Sequence, residues 1–461
     1  MGVRYYALLA GGALIAGAGL VISSGAGPGP AAKISDTAID RARETATFEA
    51  LGGPSAGTAG EDPKGGSLTP TPTLTPTVIE LDKVTRDGDH YVAPAGNGRT
   101  AILTLDPELQ TTAEKLLAEA KAPRGAIVAM APDGRILALA GWRGKEPKGG
   151  KDGAADWHLA TDAWAPAASV FKLVTASALV GGGVQPDDKV CYHGGIRSIV
   201  ESNLHDDKHD NQCNSLTYGV AHSNNAILGK LAFEHLEPTA LDQLAHQMLA
   251  PPPATLGFAA TSAELALPAQ KDLAFAQAAA GFNGAKLSVL GGALLAATFA
   301  DDGEQPEARI IESIVDSTGP HAQSSASAHH LLTADVAKAV GKMMVGTCDF
   351  GSAAKSFRRA SVKVAGKTGT LTTTQPFYME NSWFVGYAPA DKPEIIVSVV
   401  LGNPENWHLR GHEAAKRLLD RAVRRAEDRG KPAASKPLPP TDSHRPSAVL
   451  PAGASPAPSN K

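Results

Sequence analysis

Ser169 and Lys172 stand three residues apart in Ala-Ala-Ser-Val-Phe-Lys, at the head of an almost wholly apolar stretch, Val170–Val180. On a helix that spacing puts both side chains on one face. A serine hydroxyl becomes a nucleophile only when a neighbour takes its proton, and a lysine can do so only while neutral. The reference lysine pKa of about 10.4 must then fall by roughly three units, about 4 kcal/mol, to leave the amine neutral near pH 7. Burial among Val170, Phe171, Leu173 and Val174, helped by a second cation nearby, pushes in that direction. Ser169 is therefore a candidate acyl-transfer nucleophile and Lys172 its base. The helix N-terminus would offer free backbone N–H groups to a developing oxyanion.

Alone, Ser-x-x-Lys is a common pattern, and a buried serine beside a lysine whose stem packs on apolar surface produces it too. Two further clusters change its weight. Ser223-Asn224-Asn225 leads into the apolar run Ala226–Leu231 and by itself reads as a helix N-cap. Lys367-Thr368-Gly369-Thr370 follows the alternating Ser-Val-Lys-Val-Ala-Gly and by itself reads as an edge strand guarded by lysine. The plainer readings account for each cluster separately, but not for all three in this order and in matching helical or strand settings.

On these motifs the chain resembles the penicillin-binding transpeptidases, the enzymes that cross-link peptidoglycan. The resemblance covers about residues 101–430 and includes Thr104–Gln110 with Gly125–Met130, the loop Gly281-Phe-Asn-Gly284, and the strand Trp383–Tyr387. It implies that Ser169 attacks the penultimate D-alanine carbonyl of a stem peptide with Lys172 as general base, and that Ser223 relays a proton towards the leaving D-alanine. Asn225 would hydrogen-bond the substrate peptide, Lys367 supply positive potential, and Thr368 and Thr370 bind the terminal carboxylate. Gly369 would let the donor peptide lie close against the strand edge, as an added strand does. The oxyanion would sit between the N–H groups of Ser169 and Thr370. The resemblance also implies acylation by β-lactam antibiotics, no cofactor, and other cell-wall synthesis proteins as partners.

No glycosyltransferase module is recognisable before residue 101, so the likeness is to a monofunctional, class B-like D,D-transpeptidase with a short N-terminal region. The Arg-Gly-x-Ile-x-Asp-Arg-type opening of the usual N-terminal pedestal is absent. Two alternatives share the motifs. A D,D-carboxypeptidase or β-lactamase-like hydrolase uses the same acyl-enzyme and admits water. A non-catalytic penicillin-binding scaffold or sensor keeps the fold, but has no need of Ser169, Lys172, Ser223, Asn225 and Lys367 together.

The elements that must position these residues follow from hydrophobic periodicity. Pro107–Lys121 has helical spacing, and Gly125–Gly141 alternates about Pro132-Asp133-Gly134 as a hairpin. Val170–Val180 reads as a helix buried on all sides. A polar, loop-rich region and helical stretches run to Ala300. Strands follow at Ser361–Ala365, Ser382–Tyr387 and Glu394–Leu401, and an amphipathic helix closes the domain at His412–Asp428. Segregated helices and hairpins predict an α+β fold, an antiparallel sheet packed with helices. The family resemblance adds an all-helical subdomain, as in penicillin-binding transpeptidases and serine β-lactamases.

The 461 residues carry a net charge of −4 with no basic run, which argues against nucleic acid as a partner. Behind Arg4, the stretch from Tyr5 to Ile22 has no charge, and as a helix of about 27 Å it can just cross a bilayer. Residues 1–24 thus read as a membrane anchor or, with Ser24-Gly25-Ala26 as a cleavage site, a signal segment. The single N-terminal charge favours sending the body out of the cytoplasm. Residues 25–97 form a Gly/Pro/Thr-rich stalk in which Asp36–Leu51 has amphipathic helical spacing and Val78–Val92 reads as a hairpin turning at Asp87-Gly88. Residues 98–430 are the catalytic domain, and 431–461 a Pro/Ala-rich tail too poor in large apolar residues to order.

Three cysteines occur. In an exported protein Cys191 and Cys213 could pair, and closing a loop of that length stabilises by ~3 kcal/mol. The same segment holds histidines and aspartates, so a zinc site of Cys191, His205, His209 and Cys213 is the alternative. Cys348 reads as a small buried apolar residue.

Overall fold

The computed structural model describes residues 77–146, 153–252, 254–323 and 327–430. The anchor segment, the Asp36–Leu51 helix and the C-terminal tail lie outside the described residues.

A hairpin of β1 (Thr85–Asp87) and β2 (His90–Pro94) turns at Gly88-Asp89, within a residue of the expected place. It pairs directly with β3 (Thr100–Leu103). Residues assigned to a stalk by composition are therefore part of a sheet, because Ile79, Ala93 and Ala95 are buried against the main core. Helix α1 (Pro107–Ala120) starts where Asp106 Oδ1 accepts from the N–H groups of Glu108 and Leu109, with Pro107 at the first position. Strands β4 (Arg124–Met130) and β5 (Ile136–Arg143) form the predicted hairpin, and β6 (Ala154–Ala155) adds a short edge. Buried Gln110 locks α1 to β5 by exchanging two hydrogen bonds with the backbone of Leu139, at 2.9 and 3.0 Å.

Helix α2 (Lys172–Gly181) is the buried helix expected from its apolar sequence. A hairpin, β7 (Lys189–Tyr192) with β8 (Gln212–Ser215), leads into α3 (Leu216–Ala221) and α4 (Asn225–His235). Helices α5 (Pro238–Met248) and α6 (Leu273–Ala279) complete a helical lobe around α2. Helix α7 (Val289–Ala300) is buried along nearly its whole length. Strands β9 (Ile311–Asp316) and β10 (Gly319–Ala322) extend the first sheet to the order β1-β2-β3-β9-β10. Helix α8 (Ala334–Asp349) then precedes β11 (Ala365–Thr373), β12 (Met379–Ala388), β13 (Ile395–Asn403) and α9 (Gly411–Gly430).

The main sheet is antiparallel, in the order β11-β12-β13-β4-β5-β6. Central β13 is buried throughout, and its side chains divide as a strand's must. Ile396 and Val400 enter the core shared with α7 and the helical lobe, while Ile395, Val397, Val399 and Leu401 enter the core beneath α1 and α9. The α+β expectation holds. One boundary differs: the strand predicted at Ser361–Ala365 begins only at Ala365 and runs through the Lys-Thr-Gly residues to Thr373. The motif lies within the edge strand rather than after it.

Candidate active site

Ser169 lies in a 3₁₀ turn, Ala168–Val170, immediately before α2. Ala168 has a left-handed φ of 50°, an uncommon conformation for a residue with a side chain, so the surroundings must hold the turn in place. Three contacts do so. The indole N–H of buried Trp383 donates to Pro166 O at 2.8 Å. Gly281, at φ +88°, passes so near the turn that a Cβ there would lie 2.1 Å from Ala168 O. A Cβ on Gly369 would meet Ala168 Cβ and Val170 Cγ2 at 3.3 Å. Gly369 therefore serves close packing of β11 on the nucleophile turn.

Lys172 is fully buried, and its Nζ lies 2.8 Å from Ser169 Oγ, 2.6 Å from Asn225 Oδ1 and 2.5 Å from Ala280 O. Burial first, and the charge of Lys367 second, hold its pKa well below the ordinary lysine value. A neutral amine has two N–H groups and one lone pair. Two of the three neighbours are pure acceptors, so the N–H groups satisfy Asn225 and Ala280 and the lone pair is left facing the serine hydroxyl.

Asn224 caps α4, its Oδ1 accepting from Ile227 N–H at 3.2 Å, so the N-cap reading of this cluster is correct for its middle member. The cap leaves its neighbours free for the site. Ser223 sits at φ +59°, and its Oγ accepts from Lys367 Nζ at 3.0 Å. Asn225 donates from Nδ2 to Ile196 O at 2.7 Å while its Oδ1 accepts from Lys172. Both ends of the amide thus position protein groups, and Asn225 also lines the cleft in which its expected substrate-binding role would be played. Lys367 is fully buried, donates to Thr368 O at 2.8 Å, and has its pKa pushed down by burial to about 7.

Ser169, Ser223, Asn225, Thr368 and Thr370 line one cleft of about 810 Å³. Sequence reasoning brought these together correctly but missed other lining residues: Arg197, Ser352, Thr372, Glu380 and Arg410. Ser352 Oγ and Thr368 Oγ1 are 2.6 Å apart. None of the five stands in a local motif, and Glu380, the second residue of β12, falls before the strand predicted at Ser382–Tyr387.

Cys191 and Cys213 form a disulfide across β7–β8. This removes the two thiolates from the alternative zinc set. His209 Nδ1 bonds Asp207, and His205 lies edge-on to Phe233. The charge buried against the segment is a cation from α4, Lys230, whose Nζ donates to Asp206, Asp210 and Cys191 O. Cys348 is free and buried, as expected.

The family described as penicillin binding protein transpeptidase domain matches residues 125–423, and the chain belongs to that family. Penicillin-binding protein 2a of Streptococcus pneumoniae is 34% identical over 120 residues, which are 25% of this chain and 16% of that protein. The probable peptidoglycan D,D-transpeptidase PenA of Neisseria flavescens is 26% identical over 328 residues, 67% of this chain and 77% of its own. Among solved structures, the imipenem acyl-enzyme complex of penicillin-binding protein A from M. tuberculosis superposes with a TM-score of 0.59, over 70% of this chain and 79% of that one, at 20% identity. This last is a likeness of fold.

Proposed function

We propose that this protein is a peptidoglycan D,D-transpeptidase that joins stem peptides through an acyl-enzyme on Ser169 and is acylated there by penicillin. The observation that carries the reading is the pairing of two serines with two buried lysines in one cleft, Lys172 at Ser169 and Lys367 at Ser223. The donor peptide lies along the edge of β11, its terminal carboxylate at Thr368 and Thr370. Ser169 Oγ attacks the penultimate carbonyl carbon as its proton passes to Lys172 Nζ, and the oxyanion is held by the N–H groups of Ser169 and Thr370. Ser223 protonates the leaving D-alanine nitrogen and is replenished by Lys367, whose pKa of about 7 suits it to give up a proton. The acceptor amine of a second peptide then attacks the ester. Its surplus proton restores Lys367, and Lys172 returns a proton to Ser169 Oγ.

The domain acts outside the cytoplasm, with residues 1–24 as membrane anchor or export signal. The uncharged run from Tyr5 to Ile22 behind Arg4 supports this placement. A fluorescent penicillin incubated with the full chain tests the mechanism: labelling is expected, and its loss in Ser169→Ala. An unlabelled parent, or a labelled variant, overturns it. Cross-linked dimers measured against released D-alanine separate peptide transfer from hydrolysis.

A further inference from the structure

Phe350, at the end of α8, is 55% exposed. Its ring is nevertheless fixed, because it folds back onto Gly346: a Cβ there would lie 2.8 Å from Phe350 Cζ. Beside it stands His222, with ring centroids 5.8 Å apart, and His222 in turn stacks on Tyr218 of α3 at 4.1 Å and a tilt of 31°. Two helix ends thus build one continuous aromatic surface, with His222 and Phe350 open to solvent. That surface adjoins the cleft. His222 directly precedes Ser223, and Phe350 stands two residues before Ser352, both of which line it. The Ser352 N–H donates to Ala221 O at 2.9 Å, which ties the two chain segments together at the cleft's border. Partial burial lowers the His222 pKa, so its ring is uncharged at neutral pH and does not repel a cation. Single exposed apolar residues need no explanation, but stacked rings bordering a cleft mark a place where a ligand's apolar part comes to rest.

We infer that Tyr218, His222 and Phe350 form the platform on which the acceptor peptide lies while its amine attacks the Ser169 ester. The inference rests on the transpeptidase reading above and adds where the second substrate sits. Aminolysis of the ester is acylation run backwards with a different amine, so the acceptor nitrogen occupies the place that the leaving D-alanine nitrogen held, beside Ser223 Oγ. The N–C bond forms as the ester C–O bond breaks, the amine proton passes through Ser223 to Lys367, and Lys172 returns its proton to Ser169 Oγ. The donor fills the cleft in one direction, along β11 towards Thr372. The leaving residue runs the other way, from Ser223 to Thr368, and Thr368 Oγ1 is 2.6 Å from Ser352 Oγ. A longer chain starting from the same nitrogen therefore continues past Ser352 onto Phe350 and His222. The aliphatic stem of a dibasic residue packs on such rings, and its ammonium is attracted by their faces before it sheds a proton to solvent and attacks as the amine. Water gains nothing from that surface, so the platform favours peptide transfer over hydrolysis.

The test uses the full chain with diacetyl-L-lysyl-D-alanyl-D-lactate as an ester donor. The acyl-enzyme is offered glycine, too short to reach the rings, or a stem tetrapeptide with a free side-chain amine, at equal concentrations. Amide product is counted against hydrolysed acid for each acceptor, so the rate of acylation cancels. The parent is expected to prefer the tetrapeptide about tenfold, and Phe350→Ala to cut that preference about fivefold, the scale of one aromatic contact. Phe350→Trp restores a ring and is expected to keep the preference within about twofold of the parent's. Because Phe350 is exposed, neither substitution opens a cavity in the core. A parent without the preference (including one that transfers to neither amine), a Phe350→Ala preference equal to the parent's, or a Phe350→Trp preference as low as that of Phe350→Ala overturns the proposal. A parent that penicillin fails to label would instead overturn the acyl-enzyme reading itself, which separates the two failures.

Discussion

Lys172 and Lys367 are two fully buried lysines, each hydrogen-bonded to a different serine of one cleft, and among the described residues neither has a carboxylate partner. Each answers the problem posed by the other. Burial lowers both pKa values, and the charge of Lys367 lowers that of Lys172 further. The proposed mechanism needs Lys172 neutral and Lys367 protonated, two requirements that respond oppositely to pH. Acylation should rise as pH climbs through the depressed pKa of Lys172 and fall as pH climbs past about 7, where Lys367 loses its proton. The second-order rate constant for penicillin acylation across pH 4–10 (roughly the range in which the two lysines and their neighbours titrate) should be bell-shaped. In Lys367→Met the alkaline limb should vanish and the acid limb move to higher pH, because the charge depressing Lys172 has gone. A Lys367→Met profile that keeps its alkaline limb would assign that limb to another group.

Asn225 offers a sharper test of how Lys172 is held. Asn225→Asp preserves the shape but places a carboxylate 2.6 Å from Lys172 Nζ. An opposite charge at that range favours the ammonium form, so the base is occupied by its own proton. Acylation at pH 7 should fall by about 100-fold, the lower end of what a positioned general base contributes, and recover in part as pH rises. If Asn225→Asp acylates at the parent rate, the amide is not setting the state of Lys172.

The disulfide reaches the site through one carbonyl. The loop it closes carries Ile196, whose carbonyl accepts from Asn225, and Arg197, which lines the cleft. Lys230, on the same helix as Asn225, pins the far side of that loop through Asp206, Asp210 and Cys191 O. Burial raises the Asp210 pKa, but hydrogen bonds from His193 and Lys230 outweigh it and hold the carboxyl at about 2. Cys213→Ser should cost ~3 kcal/mol of stability in chemical denaturation and slow penicillin acylation severalfold. Loss of stability with an unchanged acylation rate would show that the loop does not order Asn225.

The sequence made the chemistry more legible than the surroundings. Ser169, Lys172, Ser223 and Lys367 announce themselves because acyl transfer dictates their types and helix or strand geometry dictates their spacing. The buried helix α2 and central strands were readable for a related reason: side chains buried on all faces leave apolar runs that few other structures produce. Residues 78–97 were grouped with the stalk on composition even though Val78–Val92 reads as a hairpin, because the strand that stabilises that hairpin, β3, lies beyond the composition boundary. Glu380 and Arg410 were illegible for a different reason. They lie on separate elements, and only the pairing of β12 with β11 and the return of the chain into α9 bring them to the cleft. Gly369 was legible as a point of close approach, but the packing of the nucleophile turn against it was not, because a glycine states that something comes close without saying from which side.

Gly281 carries a second lesson about closeness. Its φ of +88° alone disfavours any side chain, and an added Cβ would also strike Ala168 O at 2.1 Å, directly behind the nucleophile. Gly88, in the β1–β2 turn, shares the first cost without the second: its φ is +58° and nothing lies within 4 Å of an added Cβ. Gly88→Ala should therefore cost about 1 kcal/mol of stability and leave acylation alone. Gly281→Ala should cost more than that and slow acylation at least tenfold, because the backbone can relieve the contact only by moving the Ser169 turn or the Ala280 carbonyl that holds Lys172. Melting temperature and acylation rate measured on both variants separate strain from displacement. Equal effects of the two substitutions on acylation would mean that the turn absorbs the contact without shifting its serine.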